Sequence, residues 1–297
     1  MINNRMLPIR LIITTNCNGS CYFCHKEGVE SNQDMPLNTI MHCANIAKYF
    51  SAPMSITGGE PTLRKDLDVI INTIYDVAPN INLGLTTNGF HLFDFYDIQT
   101  PINTLNLSIT SFDNTISQKY QKVSPVKALS ALKSFPAINK NLNVVIVEDN
   151  YLEIDDFIEY CVKNNYNLDL MFELKSYTEK EIKIQQYILN KIERIGNIRL
   201  VIKPSPILEI DTGKLVKIRI KHPSLSSIPE FHFCKNCNES SNCFERICSF
   251  RVYPDGQVSP CLKRKFKIND KYFEEELIKI YQEVHSSISL LSFITKD

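Results

Sequence analysis

Net charge is the first thing missing: 33 Lys+Arg offset 33 Asp+Glu over 297 residues. Without a basic excess, no broad face for nucleic acid or an anionic membrane is expected. Long apolar runs are missing too, and none approaches the ~20 residues that cross a bilayer. The opening segment, Met1-Ile-Asn-Asn-Arg-Met-Leu-Pro-Ile-Arg10, lacks the apolar core and small-residue cleavage site of a secretory signal. Internal repeats and low-complexity tracts are also absent. A cytoplasmic protein is expected, with neither membrane nor nucleic acid as a partner.

What remains is an ordinary globular composition, 43% hydrophobic and 22% charged, with one excess. There are ten cysteines, and where thiols stay reduced these suit metal ligation better than a disulfide framework. Their distribution is uneven. Cys17, Cys21 and Cys24 stand together; Cys234, Cys237, Cys243, Cys248 and Cys261 form a second group. Cys43 and Cys161 stand alone on apolar helix faces and read as core.

Short β-branched runs alternate with longer amphipathic ones over the first two-thirds of the chain. The pattern predicts strands at Ile9–Thr14, Met54–Ile56, Ile81–Thr86, Leu105–Ile109, Leu142–Val147 and Leu168–Phe172. Helices are predicted between and after them, at about 38–49, 66–77, 91–97, 124–134, 153–164 and 179–194. Six βα units are too few for a complete eight-stranded barrel. The expected fold is α/β: a partial (β/α)6 barrel of TIM type over 1–204. The pattern then changes. Ile207–Ile210 and Leu215–Ile220 read as a hairpin around Asp211-Thr212-Gly213. A cysteine-rich stretch at 231–263 and a helical tail near 271–284 complete a C-terminal extension, 205–297.

Cys17-Asn-Gly-Ser-Cys21-Tyr-Phe-Cys24 directly follows the first strand. In parallel α/β folds, loops at the carboxyl ends of strands form the active face. Three thiolates can hold three irons of a 4Fe–4S cube and leave the fourth open to a small molecule. Zinc is the alternative; it wants a fourth protein ligand, and His25 is close in sequence. Polar loops also follow the next strands: Thr57-Gly58-Gly59-Glu60-Pro61, then Thr86-Thr87-Asn88-Gly89, then Ser108-Ile-Thr110-Ser-Phe-Asp113. Paired glycines allow close backbone approach, and a neighbouring carboxylate can accept from an ammonium group.

At these motifs the chain resembles the radical S-adenosylmethionine (SAM) superfamily, and most closely the GTP 3′,8-cyclases of molybdenum-cofactor biosynthesis, from about residue 8 to 265. Arg10-Leu-Ile-Ile-Thr-Thr-Asn-Cys17, Cys24-His-Lys-Glu-Gly28, Thr57–Arg64, Thr86–Gly89, Leu107–Asp113 and Phe172-Glu173 carry the resemblance. It implies that Cys17, Cys21 and Cys24 ligate a 4Fe–4S cluster whose open iron binds SAM. It also implies SAM contacts by Gly58, Gly59, Glu60, Thr86, Asn88 and Ser108. An electron from an external donor then yields a 5′-deoxyadenosyl radical, which takes hydrogen from a substrate.

The second cysteine group resembles the cyclase C-terminus, which holds an auxiliary 4Fe–4S cluster. Cys234, Cys237 and Cys261 suit that pattern. The glycine turn before Cys261 also resembles the auxiliary-cluster "twitch" extension, in which Cys243 or Cys248 partners Cys261. Zinc on Cys-x2-Cys-x5-Cys-x4-Cys is a third reading. By the same resemblance Arg10 and Arg251 are substrate contacts suited to phosphate. The family's Arg-x-Arg at this point is here Arg251-Val252-Tyr253.

The expected activity is hydrogen abstraction from a small anionic metabolite, with GTP cyclisation its sharpest form. A peptide-modifying radical SAM enzyme with a partner peptide is the second expectation. A non-catalytic Fe–S or zinc-binding protein is the third.

Overall fold

The computed structural model describes residues 6–25, 32–95, 102–173, 178–203, 205–211, 217–221, 234, 237–238, 247, 249–261, 264–268 and 272–289. Six parallel strands lie side by side: β1 (Ile9–Ile12), β2 (Met54–Thr57), β3 (Leu83–Thr87), β4 (Ile102–Ile109), β5 (Ala137–Val145) and β6 (Asn167–Met171). Each overlaps its predicted range. The helices α1 (Leu37–Phe50), α2 (Leu67–Val77), α3 (Asn114–Tyr120), α4 (Pro125–Ser134) and α5 (Ile154–Asn164) connect them, and α6 (Glu179–Glu193) follows β6.

Strand β4 shows how the sequence builds the wall. Leu105, Leu107 and Ile109 are buried on one face, while Asn106 and Ser108 are only partly covered on the other. That is the period of two expected when one strand face packs on helices and the other lines a polar interior. Helix α5 supplies the matching stripe with Ile154, Phe157 and Cys161. Cys43 and Cys161 are fully buried, as core positions should be. Each such Leu or Ile contributes about 1.5–3 kcal/mol by leaving water.

Within the barrel, two elements between the strands differ from the sequence pattern. A 3-10 turn at Leu92–Phe95 stands where a helix over 91–97 is predicted; residues 96–101 lie outside the described set. Helix α3 is not predicted, because Ile116 and Tyr120 alone make no apolar stripe. It starts instead from a cap: the Asp113 carboxylate accepts the N–H groups of Thr115 (2.7 Å) and Ile116 (3.1 Å).

The strands that follow α6 add to both edges of the barrel sheet. Strands β7 (Asn197–Lys203), β8 (Ser205–Asp211) and β9 (Lys217–Lys221) pair antiparallel in turn, and β9 lies parallel to β6. The predicted hairpin is β8–β9, its turn lying outside the described residues; β7 is an addition. At the other edge β10 (Phe250–Val252) runs parallel to β1, followed by β11 (Gln257–Ser259) and β12 (Phe266–Lys267). The twelve strands among the described residues form one open sheet.

The predicted helical tail is α7 (Phe273–Ser289). Its Tyr281 hydroxyl donates to the Leu7 carbonyl at 2.6 Å, and its ring packs 4.8 Å from that of Phe50. Among the described residues, no helix is long and apolar enough to cross a membrane.

Candidate cluster and cofactor site

The loop carrying Cys17, Cys21 and Cys24 leaves the carboxyl end of β1 and is held from two sides. On the β2 side, Gly59 N–H donates to Thr14 O at 2.8 Å and Glu60 N–H donates to Asn16 O at 2.7 Å. A Cβ on Gly58, whose φ is +150°, would stand 2.4 Å from Thr14 O; one on Gly59 would stand 2.1 Å from Asn16 O. Only glycine fits there. The close approach that the Gly-Gly pair permits is to the backbone of the cysteine loop itself.

Glu60 extends this clamp to the third strand. Its side chain is buried. Oε1 accepts from Thr62 N–H (3.1 Å), Thr62 Oγ1 (2.6 Å) and Thr87 Oγ1 (2.5 Å), and Oε2 accepts from Asn88 N–H (2.7 Å). Burial pushes the Glu60 carboxyl up, and these hydrogen bonds oppose it. Asn88 Nδ2 in turn donates to Asn18 Oδ1 at 2.8 Å, inside the cysteine loop. Arg64, also buried, donates through Nη1 to Ile13 O (3.0 Å) and Met35 O (2.7 Å), and its other nitrogens grip Asp66. That contact holds the Asp66 carboxyl below the usual range. On the opposite side of the loop, Ser20 N–H donates to Gln121 O at 3.1 Å and Tyr22 N–H donates to Tyr120 O at 2.9 Å.

Cys17 and Cys24 are exposed and Cys21 is half-buried. Burial pushes the Cys17 thiol up and the Cys21 thiol to about 12, and the neighbouring thiols add to both shifts. Cys17 and Cys21 thus each lie close enough to a neighbouring thiol to resist ionisation, a resistance that bound iron cations would reverse. Among the described residues, no group of three His, Cys, Asp or Glu side chains forms a ready single-ion site. A cube spreads its thiolates over different irons, and three thiols on one clamped loop fit that donor pattern.

The remaining sequence-predicted residues line the interior. Thr86, Asn106, Asn141 and Asn167 face one another across β3 to β6; the amides of Asn106, Asn141 and Asn167 are linked in steps of 2.8 Å. One rung nearer the strand ends come Ser108, Asn143, Asp169 and Arg219. Arg219 Nη2 donates to Asp169 at 2.7 Å. Arg10 and Arg251 are direct cross-strand partners on β1 and β10, and Arg10 donates to Thr57 Oγ1 at 3.2 Å. A cavity of 340 Å³ opens beside the loop, between Tyr22, Tyr120, Ile146, Val147, Phe172 and Glu173.

In the second cysteine group, Cys237 N–H donates to Cys234 O at 2.9 Å. Cys261 is buried just beyond β11. Cys243 and Cys248 lie outside the described residues.

The sequence pattern gives no role to Thr87, Arg64 or Gln121, and reads Asn18 only as a turn residue of the cysteine loop. Thr87 and Arg64 stand inside the Thr86–Gly89 and Thr57–Arg64 motifs, so their nearness to Asn88 and Glu60 was a usable signal. Gln121 follows a helix without apolar period, and nothing in its neighbourhood singles it out.

An open parallel barrel with a three-thiol loop at the end of β1, clamped to the next two strand ends, defines a class. The family model described as "Radical SAM superfamily" matches residues 11–161, and the chain belongs to that superfamily. Over its length it is similar to proteins named probable GTP 3′,8-cyclase. That of Thermoplasma volcanium is 28% identical, covering 92% of this chain and 87% of the relative. That of Pyrococcus abyssi is 27% identical, covering 88% and 86%. Among solved structures, Streptococcus suis SuiB bound to S-adenosylmethionine shares the fold, with a TM-score of 0.65 at 16% identity over 95% of this chain and 68% of SuiB. So does anSMEcpe with bound AdoMet and a peptide, with a TM-score of 0.59 at 15% identity over 96% and 83%.

Proposed function

We propose that this radical SAM enzyme cleaves SAM reductively at a 4Fe–4S cluster on Cys17, Cys21 and Cys24 and takes hydrogen from a small anionic metabolite of the GTP kind. The observation that carries the reading is the clamped loop: three thiols fixed against the Gly58-Gly59-Glu60 and Thr87-Asn88 strand ends. When bound, the cluster supplies the electron that breaks a sulfonium C–S bond. The chain's residues do the rest. Glu60 and Asn88 hold the loop, the partly covered Thr86 and Ser108 face the interior, and the barrel wall keeps water from a reactive radical. The cavity beside Tyr22 has the size of a small-molecule site and a lining of both apolar and polar side chains.

Arg10 and Arg251 side by side support an anionic substrate, because paired guanidinium groups suit phosphate. The named cyclase relatives favour a nucleotide. We also propose a second 4Fe–4S cluster in the 205–297 extension, on Cys261 with members of the Cys234–Cys248 group. Iron counts on Cys234→Ala and Cys248→Ala protein would separate the two ligand sets.

The test uses anaerobically reconstituted protein, SAM, dithionite and GTP deuterated on the ribose. Deuterium transferred into 5′-deoxyadenosine is the expected result. Slow 5′-deoxyadenosine formation that ignores GTP would overturn the nucleotide reading and leave the radical chemistry standing.

A further inference from the structure

We infer that Gln121 is a positioning residue: it sets the distance between the cysteine loop and the end of β4, the two surfaces between which SAM would be held. The inference rests on the reading that Cys17, Cys21 and Cys24 carry the SAM cluster.

Gln121 directly follows α3 and is 2% exposed. Its polar groups reach three separate places. Nε2 donates to the Ser108 carbonyl at 2.8 Å, near the end of β4. Oε1 accepts from the hydroxyl of Thr110, itself fully buried, at 3.3 Å. The backbone carbonyl accepts from Ser20 N–H at 3.1 Å, directly before Cys21 in the cysteine loop. One buried side chain and its own peptide thus join β4 to the loop without touching a thiol.

The helix end makes this reach possible. The last carbonyls of a helix have no partner within it. Lys122 turns the chain away with φ +62°, and its N–H returns to Ser117 O at 3.0 Å. The carbonyls of Tyr120 and Gln121 are left to the cysteine loop, where Tyr22 and Ser20 donate to them. Contact is close: a Cβ on Gly19 would stand 3.2 Å from the Gln121 carbonyl.

A purely structural Gln121 would affect thermal stability and leave the SAM affinity of folded, cluster-loaded protein alone. A positioning Gln121 would affect SAM affinity with the cluster still loaded. These separate in one experiment. Wild type, Gln121→Met and Thr110→Val are reconstituted anaerobically, iron and sulfide are counted, and the electron paramagnetic resonance signal of the dithionite-reduced protein is titrated with SAM well below the melting temperature. Full iron content is expected in all three. The SAM midpoint should rise about tenfold in Gln121→Met, the scale of a lost buried hydrogen bond, and by a smaller factor in Thr110→Val. Loaded variants that titrate at the wild-type midpoint would overturn the inference. If Gln121→Met does not fold, Thr110→Val decides alone, and a wild-type midpoint there overturns it. A wild-type signal that ignores SAM would remove the reading beneath, and the inference with it; that failure shows in the wild type, the other only in the variants.

Discussion

Asn88 and Asn18 meet side chain to side chain, Nδ2 to Oδ1 at 2.8 Å, across a separation of 70 residues. The bond ties the loop after β3 to the cysteine loop after β1. Because Asn88 Oδ1 also accepts Phe90 N–H at 3.0 Å, the amide is fixed at both ends. Asn88→Asp keeps the acceptor and removes the donor, setting a carboxylate against Asn18 Oδ1. It should cost about 1–3 kcal/mol in stability, read by thermal melting, and should speed iron loss to a chelator. Unchanged iron retention would show that the bond does not hold the loop.

The Gly59 contact leads to a sharper expectation. Gly59→Ala puts a methyl 2.1 Å from Asn16 O, and neither backbone can yield without moving the loop. Reconstituted Gly59→Ala protein should hold less iron and be destabilised by about 2 kcal/mol or more. Gly84, where an added methyl would meet no atom nearer than 3.6 Å, is the control: Gly84→Ala should retain its iron.

Acid should loosen the Arg64–Asp66 contact. The Asp66 carboxyl is held below its ordinary value by the Arg64 hydrogen bond. A depressed carboxylate contributes stability above its unfolded value, and that contribution is lost as pH falls through the lower folded value. Melting curves from neutral pH down to about pH 3 should therefore converge for wild type and Asp66→Asn, with wild type more stable at the neutral end. Parallel curves at all pH values would contradict this.

The interior pair Asp169–Arg219 should behave as a unit. Asp169→Asn leaves a largely covered guanidinium without its carboxylate and should cost about 2–4 kcal/mol. Adding Arg219→Met should recover much of that loss. A double variant as unstable as the sum of the singles would mean the two side chains do not couple.

Much of the fold was legible because its strands are half-buried: Leu105, Leu107 and Ile109 alternating with Asn106 and Ser108 write β4 plainly. Helix α3 was hidden because its only strong marker is the Asp113 cap. The cysteine loop stood out by its spacing together with the polar motifs that follow the next strands. What spacing could not give is where the motif side chains turn. Glu60 stands in a motif that the resemblance assigns to SAM, yet its carboxylate takes four donors from the chain itself. Gln121 was invisible because its role depends on a long-range contact between a helix end and Ser20.

The most direct test of the whole account is 5′-deoxyadenosine production from SAM and dithionite by anaerobically reconstituted wild type and Cys21→Ala. Production by the wild type and its loss in Cys21→Ala is the predicted result. Equal production by both proteins would contradict a SAM-cleaving cluster on Cys17, Cys21 and Cys24.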